Sequence, residues 1–256
     1  MTESKQTPIA LITGANRGLG KSMAVHLAQR GVDSVLTYRN GADEAREVAD
    51  QIRALGRRAA VLQLDVGRAA TFDDFAARLR AELEGTWRRP RFDYLVNNAG
   101  VGLHAALADT SEAQFDELVN IHFKGPFFLT QKLLPLIEDG GRILNVSSGL
   151  ARFTFPGYGA YASMKGAIEV LTRYLAKELG PRGISVNTLA PGAIATDFNG
   201  GAVRDNPAIN QAVAAGIALG RVGLPEDVGA AVAALLSPDT GWINGQRIEV
   251  SGGQML

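Results

Sequence analysis

Cysteine is absent from this chain of 256 residues. That excludes disulfides, thiolate metal sites and thiol nucleophiles together. Histidine occurs only three times, at scattered positions, so no metal centre is expected. No run of about 18 apolar residues is present, so no membrane span is expected. The first eight residues are polar and lack the apolar run of a signal peptide, which leaves a cytoplasmic protein as the expectation. Charge of either sign is not in excess: 26 basic residues balance 26 acidic ones, so a polyanionic partner such as nucleic acid is not expected. What the chain does have is 46% apolar residues, enough for the core of one large α/β domain.

Short apolar runs at 9–13, 34–38, 59–64, 94–97, 141–147, 184–189 and 246–250 have the length and composition of buried strands. Helical patterns at 21–30, 43–55, 71–83, 111 onward, 158–180 and 225–236 alternate with them. Thr71 is expected to cap the third helix, and residues 85–91 to form a loop with a solvent-facing arginine cluster. Gly125-Pro126 falls inside the long helical region that contains Asn120. Such alternation predicts a parallel sheet with helices on both faces: a single doubly wound domain over residues 1–256, without a linker or repeat. Ligands in such sheets bind at the carboxyl ends of the strands.

Gly14-x3-Gly18-x-Gly20 lies between the first strand and the first helix. Glycines there let the backbone approach a pyrophosphate, which the free N–H groups of the helix N-terminus attract. The second strand ends Thr37-Tyr38-Arg39-Asn40, with no carboxylate before Asp43. A carboxylate would hold ribose hydroxyls and repel a 2′-phosphate, whereas a guanidinium binds one in a charge-assisted fork. Arg39, with Arg17 from the glycine loop, therefore points to NADP(H) over NAD(H).

Tyr161 and Lys165 stand four apart on a helical segment, on one face and one turn from each other. An ammonium beside a phenol favours the phenolate, so a lowered tyrosine pKa suited to general acid catalysis is expected. Ser148, at the end of an apolar run, offers a neutral hydroxyl to the same place.

Together these motifs resemble the short-chain dehydrogenase/reductase family, from Thr13 to Gly253. Thr13-Gly-Ala-Asn-Arg-Gly-Leu-Gly20 resembles its cofactor loop, which implies roles for Gly14, Asn16, Arg17, Gly18, Leu19 and Gly20. Asp65-Val66 looks like its adenine-binding pair, and Asn97-Asn98-Ala99-Gly100 resembles its fourth-strand motif. Pro191, Gly192, Ile194 and Thr196 match the segment that contacts the nicotinamide carboxamide. Asn120, Ser148, Tyr161 and Lys165 stand where the family's catalytic tetrad stands, with thirteen positions from Ser148 to Tyr161. That spacing selects Ser148 over Ser147, since adjacent strand residues point to opposite sides. Ser251, where the family often has an acid, is a departure without catalytic consequence.

The resemblance implies a Rossmann fold of about seven strands, a homotetramer, and reversible hydride transfer between NADPH and a carbonyl. In that scheme Tyr161 donates the proton, Lys165 holds the nicotinamide ribose, Ser148 binds the substrate oxygen and Asn120 fixes a water. His26 and His122 read as ordinary helix residues. Pocket walls are expected from residues 101–108, 149–158 and 197–216, the last as a substrate lid. His104, Phe153, Phe155, Tyr158 and Phe198 in these segments suit an apolar or aromatic ketone. Two alternatives stay open: a 3-oxoacyl-[acyl-carrier-protein] reductase, with Arg152 and Arg204 as a basic rim, and a catalytically silent NADP-binding regulator.

Overall fold

The computed structural model describes residues 6–256; Met1 to Lys5, part of the polar N-terminal stretch, lie outside it. Seven strands make one sheet: β1 (Ile9–Ile12), β2 (Asp33–Tyr38), β3 (Ala59–Gln63), β4 (Phe92–Asn97), β5 (Ile137–Val146), β6 (Ser185–Pro191) and β7 (Arg247–Val250). Every pairing is parallel, in the order β3-β2-β1-β4-β5-β6-β7. The helices are α1 (Gly18–Gln29), α2 (Ala42–Ala54), α3 (Phe72–Trp87), α4 (Glu112–Val119), α5 (Gly125–Leu133), α6 (Gly159–Leu179), α7 (Ala202–Asp205), α8 (Pro207–Ala214) and α9 (Pro225–Leu235).

The strand period of two divides the core. Ile9 and Leu11 of β1 pack with Phe75 and Leu79 of α3 and with Leu129 of α5. Ala10 and Ile12 of the same strand face the other way, onto Met23 of α1, Ile52 of α2 and Val232 of α9. Both faces of β1 are thus fully buried, which is why it reads as a continuous apolar run. The order of the strands reverses between β1 and β4, and their carboxyl ends open a crevice there.

Several local expectations are corrected. Thr71 does not cap α3 through its side chain; its hydroxyl donates to the Arg68 carbonyl at 2.8 Å, closing a short 3₁₀ turn ahead of the helix. The helix also runs past residue 83 to Trp87, because the Trp87 indole is buried and donates to the Asp33 carboxylate at 2.8 Å. Nor is the arginine cluster simply solvated. Arg89 is buried and donates to Asp93 at 2.7 Å, and Arg91 pairs with Glu138 at 3.5 Å. Strand β5 begins at Ile137, four residues early, by pairing Ile137 with Phe92 before an irregularity in register. The long helical region is interrupted by a π-helical segment, Asn120–Lys124, between α4 and α5. Such an insertion shifts the faces of the residues within it and is frequent at functional sites.

Candidate active site

The glycine loop is fixed by the end of β4. Thr13 Oγ1 accepts from the backbone N–H groups of Asn98 and Ala99, at 2.9 and 3.0 Å. Asn98 returns its side-chain amide to the carbonyls of Thr13 and Gly14, at 2.8 and 3.1 Å. Gly14 and Ala15 donate to Thr37 of β2. Gly20 brings α1 against this loop: a Cβ there would overlap the Gly14 carbonyl and stand 2.7 Å from the Asn98 amide.

A dinucleotide phosphate fits what remains. Helix α1 opens without a side-chain cap and without an acidic residue in its first turn, so its leading N–H groups keep their capacity for an anion. Arg39 and Asn40 are exposed at the end of β2, with Tyr38 half-buried beside them. Asn16 donates to the Asn40 carbonyl at 3.4 Å, tying the two segments. Asp43, the nearest carboxylate in the chain, is engaged by Arg46. Arg17 is well exposed, with only a 4.0 Å approach to Asp197. Asp65 turns its carboxylate inward to accept from Gly67 N–H at 2.9 Å, next to the buried Val66. On the far side, Gly192 N–H donates to Val250 at 3.0 Å, Ile194 bridges Gly223, and Thr196 Oγ1 accepts from Phe198 N–H at 3.2 Å. Leu19 packs against the core below the loop, and Pro191 is the last residue of β6.

Tyr161 and Lys165 lie in the first two turns of α6, 6% and 5% exposed. The ammonium stands 5.5 Å from the centre of the phenol ring and donates to the Val146 carbonyl at 2.8 Å. Burial depresses the lysine from its usual value to about 7. Burial also raises the Tyr161 phenol above its ordinary range; the Ser148 hydroxyl opposes this and Tyr158 adds to it. The expected lowering of the tyrosine pKa is therefore corrected: loss of water on burial is the dominant cause and raises it. A fully protonated phenol results, the form that can give up a proton.

Ser148 is half-buried in extended backbone just past β5, its Oγ accepting from Leu150 N–H at 3.2 Å. Ser147 points the other way, its one hydroxyl proton shared between Glu169 at 2.7 Å and the more distant Lys165 carbonyl at 3.2 Å. Asn120 stands at the start of the π-helical segment. Among the described residues its side chain joins no hydrogen bond with Ser148 or Lys165, whose partners are Leu150 and Val146.

Of the expected pocket residues, one packs on Tyr161 and two pair with each other at the head of its helix. The Phe198 ring lies 5.9 Å from Tyr161, and Tyr158, at the head of α6, meets His104 edge-on at 5.0 Å. Phe153 and Phe155 pair with each other instead, Phe153 lying under the Arg152 guanidinium. Three residues escaped the sequence reading. Gly102 and Asn199 bring the 101–108 loop and the turn after β6 into contact, and a Cβ on Gly102 would overlap the Asn199 amide. His122 is buried, with its ring edge-on to Tyr161 at 5.2 Å. For Gly102, the only sequence signal was a glycine near the Asn97-Asn98-Ala99-Gly100 motif.

Known proteins match this arrangement over nearly the whole chain. A family model described as enoyl-(acyl carrier protein) reductase matches residues 14–255. Over the full length of both chains, the sequence is 34% identical to a hydroxynaphthalene reductase-like protein of Metarhizium brunneum. The reductase LugOII, described as catalysing keto-reduction at C1 during lugdunomycin biosynthesis, superposes with a TM-score of 0.92 at 37% identity, covering 98% of this chain and 99% of that one. The angucycline C-6 ketoreductase LanV with bound NADP gives a TM-score of 0.92 at 36% identity, covering 97% and 95%. LanV is also known with NADP and rabelomycin bound.

Proposed function

The chain belongs to the short-chain dehydrogenase/reductase family, and on that footing we propose that it is an NADPH-dependent carbonyl reductase for ketones of fused-ring aromatic compounds. The observation that carries this reading is a buried, protonated phenol, Tyr161, one turn from a buried amine of pKa about 7. Lys165 reaches the carboxyl end of β5 through the Val146 carbonyl, and the arginine-flanked glycine loop follows β1 of the same sheet. The aromatic preference rests on the Phe198 ring against the phenol, on the His104–Tyr158 pair at the head of α6, and on the names of the relatives.

In this mechanism Arg17 and Arg39 hold a 2′-phosphate, and Gly14, Asn16, Gly18, Leu19 and Gly20 admit the pyrophosphate to α1. Tyr38, Asn40, Asp65, Val66 and the Asn98-Ala99-Gly100 backbone frame the adenosine side, while Pro191, Gly192, Ile194 and Thr196 frame the nicotinamide. When bound, NADPH supplies the hydride to the carbonyl carbon. Tyr161 gives its phenolic proton to the carbonyl oxygen, and Ser148 donates a hydrogen bond to that oxygen as negative charge grows on it. Lys165, in its charged form, favours the phenolate that Tyr161 becomes. Residues 197–216 act as a lid, with Asp197 bound by Arg204 at its near end. The carrier-protein alternative is weakened because its two cations are engaged: Arg152 by Glu249 at 2.8 Å, and Arg204 by Asp197 and Asp205.

The test is NADPH oxidation with three substrates: a fused-ring aromatic ketone, a simple aliphatic ketone and a 3-oxoacyl thioester. The fused-ring ketone should be turned over best. NADPH should be favoured over NADH by about 10- to 100-fold, the share of one or two charge-assisted hydrogen bonds. Preference for the thioester would support the carrier-protein reading, and binding of NADPH without turnover of any carbonyl would support the regulator.

A further inference from the structure

His122 was read from the sequence as an ordinary helix residue, yet it is 2% exposed and lies against the catalytic helix. Its segment explains how it came there. Residues 120 and 122 are two apart in the π-helical segment, so their side chains leave on roughly opposite sides and do not face the same neighbour. Only one of them can face Tyr161, and it is His122, with its ring edge-on at 5.2 Å and 86° between planes.

The two ring nitrogens have different surroundings. Nε2 lies 2.8 Å from the Val101 carbonyl and 3.3 Å from the Val101 N–H. The shorter contact is the one in which Nε2–H donates to the carbonyl. That tautomer leaves a bare lone pair on Nδ1. Nδ1 is fully buried and, among the described residues, has no hydrogen-bond partner. Buried polar atoms are rarely left so without a functional reason. The charged group on α6 whose field acts on His122 is Lys165, which after donating to Val146 has two N–H groups to spare. Tyr161 on the same helix is neutral, the strand-end side offers only the backbone of Gly100 and Val101, and Lys124 on His122's own segment is exposed. Burial and the Lys165 charge push the imidazole down to about 3, so it stays neutral and keeps its lone pair.

We propose that His122, in the role the sequence reading gave to Asn120, completes the site as a positioning residue: its ring fixes the aim of Tyr161, and its Nδ1 is the acceptor end of the hydrogen-bond chain that begins at the Lys165 ammonium. This deepens the reductase reading and rests on it. Loss of Nδ1 leaves substrate and NADPH contacts in place and removes an acceptor that holds the lysine proton near the phenol.

The test compares His122→Phe, which keeps the ring and loses both nitrogens, with His122→Asn, whose amide stands near the Nδ1 position, and His122→Gln, which reaches toward Nε2. His122→Phe should lower kcat about ten-fold or more with KM for NADPH unchanged, a larger loss than Asn120→Ala causes, and should move the alkaline limb of the pH–rate profile. His122→Asn should recover most of both, and His122→Gln less. If His122→Phe does not fold, the Asn and Gln variants carry the comparison. In the protein without cofactor, nitrogen-15 resonances should show Nδ1 unprotonated down to about pH 5, with a shift as Lys165 titrates that is lost in Lys165→Met. Equal losses in Asn and Gln variants, an unmoved pH profile, or a protonated Nδ1 would overturn the proposal. The nitrogen resonances do not depend on turnover, so failure of the reductase reading is distinguishable from failure of this one.

Discussion

Lys165 and Tyr161 are driven apart in protonation by one cause, burial, which works against the charged form of each. The lysine releases its proton at about 7, against an ordinary value of 10.5. An unfolded chain therefore holds a proton that the folded chain has lost between those two values, and stability rises with pH across that window. Below about pH 7 the buried ammonium opposes folding, and Lys165→Met should remove the slope of melting temperature over this range. The same titration should appear in catalysis: kcat/KM for NADPH, which reports the free enzyme, should fall as pH rises through about 7 because the ammonium that favours the phenolate is lost. A flat profile would contradict this. At this scale the Tyr161–Lys165 pair was legible because a spacing of four fixes a helix face whatever the tertiary fold. The direction of the tyrosine shift and the place of His122 were not, because both depend on burial by segments distant in sequence.

Elements were legible where periodicity was strong and misjudged where a turn signal competed with tertiary pairing. Gly85 read as a helix end, but the Trp87–Asp33 hydrogen bond carries α3 past it. The fifth strand was expected at 141–147, but β5 begins at Ile137 through pairing with Phe92 of β4. The π-helical segment was not anticipated from the sequence, and it carries His122 with its ring edge-on to Tyr161. The 101–108 loop meets the turn after β6 where Gly102 lies against Asn199 and Phe198. Gly102→Ala would drive a methyl group into Asn199 and displace Phe198 from Tyr161. A displacement of about 1 Å there should lower kcat/KM for a fused-ring ketone by about ten-fold or more. NADPH affinity and melting temperature should change little. A variant with unaltered ketone kinetics would show that this contact does not shape the pocket.

For the whole molecule, alternation of strand and helix was enough to predict the sheet, because a crossover between parallel strands needs a helix and takes one hand. It also brings the candidate site residues to one edge, since loops following β1, β2, β4, β5 and β6 all emerge there. Among the described residues no helix is long and apolar enough to cross a membrane. What alternation could not give is how those loops meet: which rings surround the phenol, and which arginines remain free. We propose this edge as a site for carbonyl reduction in which Tyr161 is the proton donor. The most direct measurement mixes NADPH-loaded wild type and Tyr161→Phe with a fused-ring aromatic ketone and follows NADPH oxidation in a single turnover, with NADPH affinity measured separately. Affinity should be unchanged and the rate of oxidation should fall about 10²- to 10⁴-fold. A Tyr161→Phe enzyme that oxidises NADPH at a rate close to wild type would contradict this proposal.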